Sequence, residues 1–274
     1  MFKRALIALD LEGVNNVAGE PYSGLMPGSY EWEKARRQAA LEVNAAADAL
    51  FSVGVERVAL WDNHAGGGNI DAADLDTRVE LLAVNNALPR MYFGAEFDCV
   101  LFFGYHAMEG TLGGVLAHTM NSKMVQHYKL NGRYIGEVDM DAYIAASHGM
   151  PSVFFAGGDI ACAQAKRAVP GIVTVTTKRE ISRNDAEYRD NDELLSDIAR
   201  GVREAVSAEH SVCALRYPLD FEKSFKRTED AAVYLRLLHS RGIDAAYPCE
   251  EILGKDAHTV VSKIYSIDDF IACI

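Results

Sequence analysis

The chain opens on an apolar run, RALIALD (4–10), and such runs then alternate with amphipathic stretches from end to end. Apolar runs of about four to eight residues read as buried strands, whereas longer runs with a 3.6-residue period read as helices. Strands are predicted at 4–10, VERVALW (55–61), DCVLFF (98–103), PSVFFAG (151–157) and GIVTVTT (171–177). DCVLFF is almost wholly apolar, as suits a central strand covered on both faces. Ser29 is placed to cap a helix running to about Phe51, with Glu31 and Glu33 in its first turn and Gly54 just past its end. GVLAHTM (114–120) reads as a further short strand or its exit, and MVQHYKLNGRYIG (124–136) as a hairpin turning at Asn131-Gly132. Helices follow over 137–148 and about 190–206.

Beyond Glu209 the pattern becomes strand (SVCALRY, 211–217), helix (about 228–241) and strand (HTVVSKIY, 258–265). A last short helix is capped by Ser266, with Asp269 completing a capping box. The expected architecture is a three-layer α/β/α fold with a largely parallel sheet, a β-hairpin and a smaller C-terminal α+β lobe. The expected division is a metal-binding catalytic domain over 1–209 and a lobe over 210–274, with no linker composition marking the boundary. Gly66-Gly67-Gly68 follows a strand but lacks both GxGxxG spacing and a phosphate-loop lysine, so it reads as a mobile loop.

Composition narrows the partners. At 274 residues, 49% hydrophobic and 24% charged, the chain has ample material for a soluble core. A net charge of −12 repels nucleic acid and acidic membrane surfaces, so neither is an expected partner. Cys99, Cys162, Cys213, Cys249 and Cys273 are scattered and contain no CxxC pair, which suits reduced thiols and a cytoplasmic location. No stretch approaches the roughly 20 apolar residues of a membrane span, and Asp10 closes ALIAL too early for a signal-peptide core.

Ligands of open α/β sheets collect beyond the carboxyl ends of the strands, and here those exits carry chemistry. Strand one leads to Asp10 and Glu12, strand two to Asp62 and His64 in WDNH, strand three to His106 in GYHA. AHTM supplies His118, AGGD supplies Asp159, and Glu137 follows the hairpin in IGEVDMD. Residues 10 and 12 of an extended chain project to one face. Two buried anions so placed repel unless a proton or a cation lies between them. Gly13 then lets the chain turn away. Two histidines and a third carboxylate complete a nitrogen–oxygen donor set suited to zinc or another divalent transition metal. A carboxylate can bridge two ions about 3.5–4 Å apart, and Asp10, held by its strand, is the natural bridge.

Each residue also has a plainer reading. A lone histidine is commonly a hydrogen-bonded structural residue, and Asp62 can cap a turn. Asp159 can cap a helix, Glu137 and Asp139 can favour a helix N-terminus, and Ser182 with Asp185 can form a capping box. What these readings do not predict is that so many such residues fall on one sheet edge. Two other enzyme classes place paired acids after a first strand. Haloacid-dehalogenase-like phosphatases use DxDGT and a later lysine, for which Lys178 would serve, but no acidic pair follows a later strand here. DEDD-type exonucleases begin with DxE followed by Thr-Thr-Gly, where this chain has Gly-Val-Asn-Asn. Neither class uses His64 and His106.

The blocks LDLEG, WDNH, GYHA, AHTM, the Asn-Gly hairpin leading into GEV, AGGD and ISR occur in one order and spacing. In these the chain resembles the bacterial D-aminopeptidase family, dinuclear zinc peptidases often encoded beside dipeptide-transport genes, from ALDLEG to about ISRND. The resemblance implies two zinc ions per chain, bridged by Asp10, with Glu12 and His64 completing one site and His106 and Glu137 the other. It implies His118 as catalytic nucleophile, release of N-terminal D-amino acids from short peptides or aminoacyl amides, and a homo-oligomeric ring. Lys178 and Arg183 match family positions and, with Asn121, are candidates for binding substrate. Departures are Trp61 where a polar residue is common, Thr119 and Asn121 beside His118, and Gly158 where an acid is frequent. They leave the metal set intact and the substrate preference open. A metal-dependent phosphoesterase and a non-catalytic peptide-binding member of the same fold are the alternatives.

Overall fold

The computed structural model describes residues 2–21, 23–250 and 254–274. Its centre is a six-stranded sheet in the order β3 (Val79–Leu81), β2 (Arg57–Asp62), β1 (Arg4–Leu9), β4 (Cys99–Tyr105), β7 (Ser152–Gly157) and β8 (Val173–Thr176). Every pairing within it is parallel. Strand periodicity sorts the side chains to two faces. Ala5, Ile7 and Leu9 of β1 pack into one core with α1 (Tyr30–Ser52) and α4 (Asn191–Ser207). Leu6 and Ala8 pack into the other with α2 (Glu137–Ser147) and α3 (Asp159–Ala168). The result is the expected α/β/α layering. β4 lies mid-sheet with all seven residues buried, which is why its sequence is a continuous apolar run. The Ser29 hydroxyl accepts from Trp32 N at 3.2 Å, and Gly54 takes the left-handed conformation after α1.

A second, antiparallel sheet has the order β12 (Ala245–Ala246), β15 (Thr259–Ile264), β11 (Leu219–Phe225), β5 (Val125–Leu130) and β6 (Arg133–Ile135). α5 (Thr228–Ser240) and α6 (Ile267–Cys273) accompany it. Asn131 (φ 48°) and Gly132 (φ 77°) are both left-handed, as a type I′ turn requires. Two ribbons complete the fold, β9 (Lys178–Ser182) with β10 (Asp185–Tyr188) and β13 (Cys249–Glu250) with β14 (Gly254–Lys255). No helix among the described residues is long and apolar enough to cross a membrane. Cys99, Cys162, Cys213 and Cys273 are free thiols.

Two runs, one read as a strand and one as a short strand or its exit, form no strand. Residues 114–120 form a loop, because Leu116 (φ 49°) and Met120 (φ 62°) turn left-handed and break the extended run. SVCALRY is also outside any strand: Cys213, Leu215 and Tyr217 pack against the core at alternate positions, but the ladder belongs to Leu219–Phe225. Its alternation reflects packing without cross-strand hydrogen bonds.

Candidate metal centre

The chain leaving β1 crosses the end of β4 at very short range. Asp10 N donates to Phe103 O at 2.8 Å and Gly13 N donates to Gly104 O at 2.6 Å. A Cβ on Gly13 would sit 2.2 Å from Tyr105 O, and one on Gly104 (φ +70°) would sit 1.9 Å from Asp10 O. Only glycine fits either position. Asp10 and Glu12 lie just past β1 in the turn this crossing makes. Their carboxylates therefore converge by the fold of the turn rather than by strand pleating. Both are buried.

His64, after β2, points Nδ1 at both acids, 2.9 Å from Asp10 Oδ1 and 3.1 Å from Glu12 Oε2. His106, after β4, donates Nδ1–H to Ala107 O at 2.9 Å, which turns Nε2 into the site. That nitrogen lies 3.4 Å from Asp10 Oδ2 and 3.4 Å from Glu137 Oε1. It is buried and makes no hydrogen bond among the described residues. Glu137, the first residue of α2, also accepts from Met120 N at 2.7 Å. His118 stacks on His106 with ring centres 3.9 Å apart, donates Nδ1–H to Leu116 O at 2.8 Å, and holds Nε2 3.9 Å from Glu137 Oε1. Donor atoms of Asp10, Glu12 and His64 lie within 4.8 Å of one another, as do those of Asp10, His106 and Glu137, and those of Glu12, His106 and His118. Asp10 belongs to two of these groups, one oxygen facing each.

The electrostatics call for cations. Burial and the adjacent Glu12 charge push Asp10 up to about 7. Burial also works against the Glu12 carboxylate, but the charge and hydrogen bond of His64 hold it well below the usual range. Burial disfavours charged imidazoles, yet Glu12 and Asp10 raise His64 to about 11, and Glu137 with Asp10 raises His106 to about 10. Glu137 falls to about 2 despite its burial, chiefly under the His106 charge. Protons on two imidazoles thus offset two of the three carboxylate charges in this cluster, and the raised Asp10 is the one left over. His118 moves the other way, lowered by burial and by His106 beside it. It is the neutral imidazole of the group. The orphaned His106 nitrogen, the three carboxylates and the imidazoles fit zinc as a donor set.

The other sequence candidates separate cleanly. Asp62 is no part of the cluster; it accepts from Asn69 N, Asn69 Nδ2 and Ile70 N and ties down the glycine-rich loop. Asp159 accepts from Glu180 N at 2.8 Å. Arg183 and Asn121 line a cleft of about 400 Å³ that opens on Asp10, Glu12, His64 and Glu137. Arg183 spends Nη1 on Ala117 O, and Asn121 Oδ1 accepts from Lys123 N and Met124 N. Lys178 does not reach the cleft. It is wholly buried, and its ammonium donates to Glu12 O, Val14 O and Val17 O, which uses all three of its hydrogens. It is a strut under the Glu12 turn, with no donor left for a substrate carboxylate. Gly158 is small because a Cβ there would fall 2.4 Å from the Glu180 carboxylate. Arg90, in the cleft wall, carried no sequence signal: it sits in an aperiodic loop after Pro89.

A doubly covered parallel sheet with carboxylates and imidazoles converging at its carboxyl edge defines an α/β protein with a candidate metal centre. The chain belongs to the peptidase M55 family, D-aminopeptidase, whose family model matches residues 3–261. It is similar to the D-aminopeptidase of Bacillus subtilis (strain 168), at 28% identity over 180 residues, 65% of this chain and 64% of that protein. The alignment thus spans just under two thirds of that relative's length. Among solved structures, the Zn-dependent D-aminopeptidase DppA from Bacillus subtilis, described as a self-compartmentalizing protease, shares the fold. The TM-score is 0.83, with 98% of this chain and 94% of that one covered at 20% identity.

Proposed function

We propose that this chain is a zinc aminopeptidase that releases the N-terminal residue, a D-amino acid, from short peptides and aminoacyl amides. The observation that carries the reading is Asp10, a buried carboxylate with one oxygen toward Glu12 and His64 and the other toward His106 and Glu137. Membership of the D-aminopeptidase family supports it. In this reading Asp10, Glu12 and His64 hold one zinc, and Asp10, His106 and Glu137 hold a second. Bound zinc supplies Lewis acidity, polarising a carbonyl and bringing the pKa of water toward neutrality.

The chain's own groups do the rest. Ala107 O fixes the His106 ring through Nδ1, so its Nε2 lone pair faces inward. Leu116 O does the same for His118, and the neutral ring keeps a lone pair at Nε2. His118 therefore acts by attacking the carbonyl carbon or by accepting a proton at that atom. Donation to an oxyanion needs a proton on Nε2, which this tautomer lacks. With zinc bound those acids are spent as ligands, and the substrate's free amine would be held at the metal centre as a neutral donor, which would select cleavage at the N-terminal residue. A cytoplasmic homo-oligomer belongs to the same reading, drawn from the family likeness.

The test is turnover of matched D- and L-aminoacyl amides, with an aryl phosphate as control, by zinc-loaded wild type and His118→Ala. Wild type is expected to cleave the D-series. The variant should keep its zinc and lose at least about 100-fold in kcat. Faster turnover of the phosphate, or loss of zinc from His118→Ala, would count against the reading.

A further inference from the structure

The acids lining the cleft are the three candidate zinc ligands, whereas its cations are Arg90, Lys123 and Arg183. Lys123 and Arg183 are exposed, and Arg183 already donates to Ala117 O. Arg90 is built differently. Its Nε and Nη2 grip both oxygens of Asp141 at 2.5 and 2.8 Å, and the Asp141 side chain is wholly buried. Tyr105 OH donates to the same carboxylate at 2.6 Å and Asn63 Nδ2 at 3.3 Å. The guanidinium lies over the Trp61 ring, 5.0 Å from its centre. A long side chain is thereby held in one pose before any ligand arrives.

A guanidinium has five N–H donors, and a carboxylate on the Nε–Nη2 edge uses two. The edge formed by Nη1 and the second Nη2 hydrogen makes no hydrogen bond among the described residues. That edge has the spacing of a second carboxylate. We propose that Arg90, oriented by Asp141 and Trp61, binds the C-terminal carboxylate of the substrate and makes this protein selective for short peptides with a free C-terminus. This rests on the aminopeptidase reading above. A short peptide carries an amine at one end and a carboxylate at the other. The cleft offers a place for each, with the candidate metal ligands at one wall and a fixed arginine at another. Its volume of about 400 Å³ falls in the range of small-molecule sites, about 300–1,000 Å³. Pre-organisation lowers the entropy lost on binding, which favours Arg90 over the exposed Lys123 as the anchor.

Zinc-loaded wild type, Arg90→Met and Arg90→Lys are compared on D-alanylglycine and D-alanylglycinamide, which share a scissile bond and differ only at the C-terminus. Wild type should prefer the acid. Arg90→Met should lower kcat/KM for the acid about 10–100-fold, through KM, and leave the amide within about threefold. Arg90→Lys keeps a cation beside Asp141 without the fork, so it should fall between them and carries the test if the methionine variant misfolds. Equal losses on acid and amide, or a wild type indifferent to the C-terminus, would overturn the proposal. Binding of both compounds to zinc-loaded His118→Ala, with and without Arg90→Met, separates the two readings. Wild type that cleaves neither compound defeats the aminopeptidase reading alone. The carboxylate clamp fails if the acid binds no tighter than the amide.

Discussion

The His106 and His118 rings are held on one side by the backbone and face the cluster on the other. His106 and His118 each spend Nδ1–H on a carbonyl, so their free nitrogens point inward by construction. The raised pKa values of His64 (about 11) and His106 (about 10) mean that both carry protons at pH 7 in the metal-free protein. Zinc needs those nitrogens deprotonated, so metal and protons compete. Apparent zinc affinity should rise with pH up to about 11, where both rings have lost the competing proton, and loading at pH 7 should release more than one proton per chain. Calorimetric titration in two buffers of different ionisation enthalpy measures that release. Zinc uptake without proton release would contradict the assignment of these histidines. At this scale the sequence was informative about chemistry-bearing positions: Asp10, Glu12, His64, His106, His118 and Glu137, far apart in the chain, come together in one cluster. Arg90 was illegible, since its placement depends on Asp141 and Trp61, both remote in sequence. Lys178 misled for a related reason, because family position does not reveal that three carbonyls surround it.

Among elements, β9 does the most to hold the site together, and it was missed by the hydrophobic pattern because its inward residues are charged. Lys178 and Glu180, two apart, both lie buried. Lys178 braces the 12–17 turn from below. Glu180 accepts from Val115 N at 2.7 Å and from Ile160 N at 3.0 Å, joining the loop that carries His118 to the start of α3. One strand thus ties the Glu12 turn to the His118 loop. Lys178→Met leaves three carbonyls without a donor and should cost about 1–3 kcal/mol of stability. It should also weaken zinc binding, since the Glu12 turn loses its brace. Denaturant melts and zinc titration check both effects; unchanged midpoint and affinity would rule out the strut. The segment at 114–120, readable as a short strand or its exit, is a loop for the converse reason. Its apolar residues pack inward, but the left-handed Leu116 and Met120 are invisible to hydropathy.

For the whole molecule, the parallel sheet brings together residues that the chain keeps far apart. β1, β2 and β4 are adjacent with β1 between the others, so Asp10, His64 and His106 meet at one edge, and α2 presents Glu137 to them. That layering was readable because continuous apolar strands and long amphipathic helices leave few other arrangements. The second sheet was less readable, since β5 and β6 join β11, which lies far along the chain, and no local pattern encodes that pairing. The central claim is that five side chains, with Asp10 shared, hold two zinc ions. Elemental analysis of purified wild type and Asp10→Ala tests it most directly. Wild type is expected to carry two zinc ions per chain, and Asp10→Ala fewer than one, with hydrolysis lost alongside. An Asp10→Ala protein that keeps two zinc ions and full activity would contradict it.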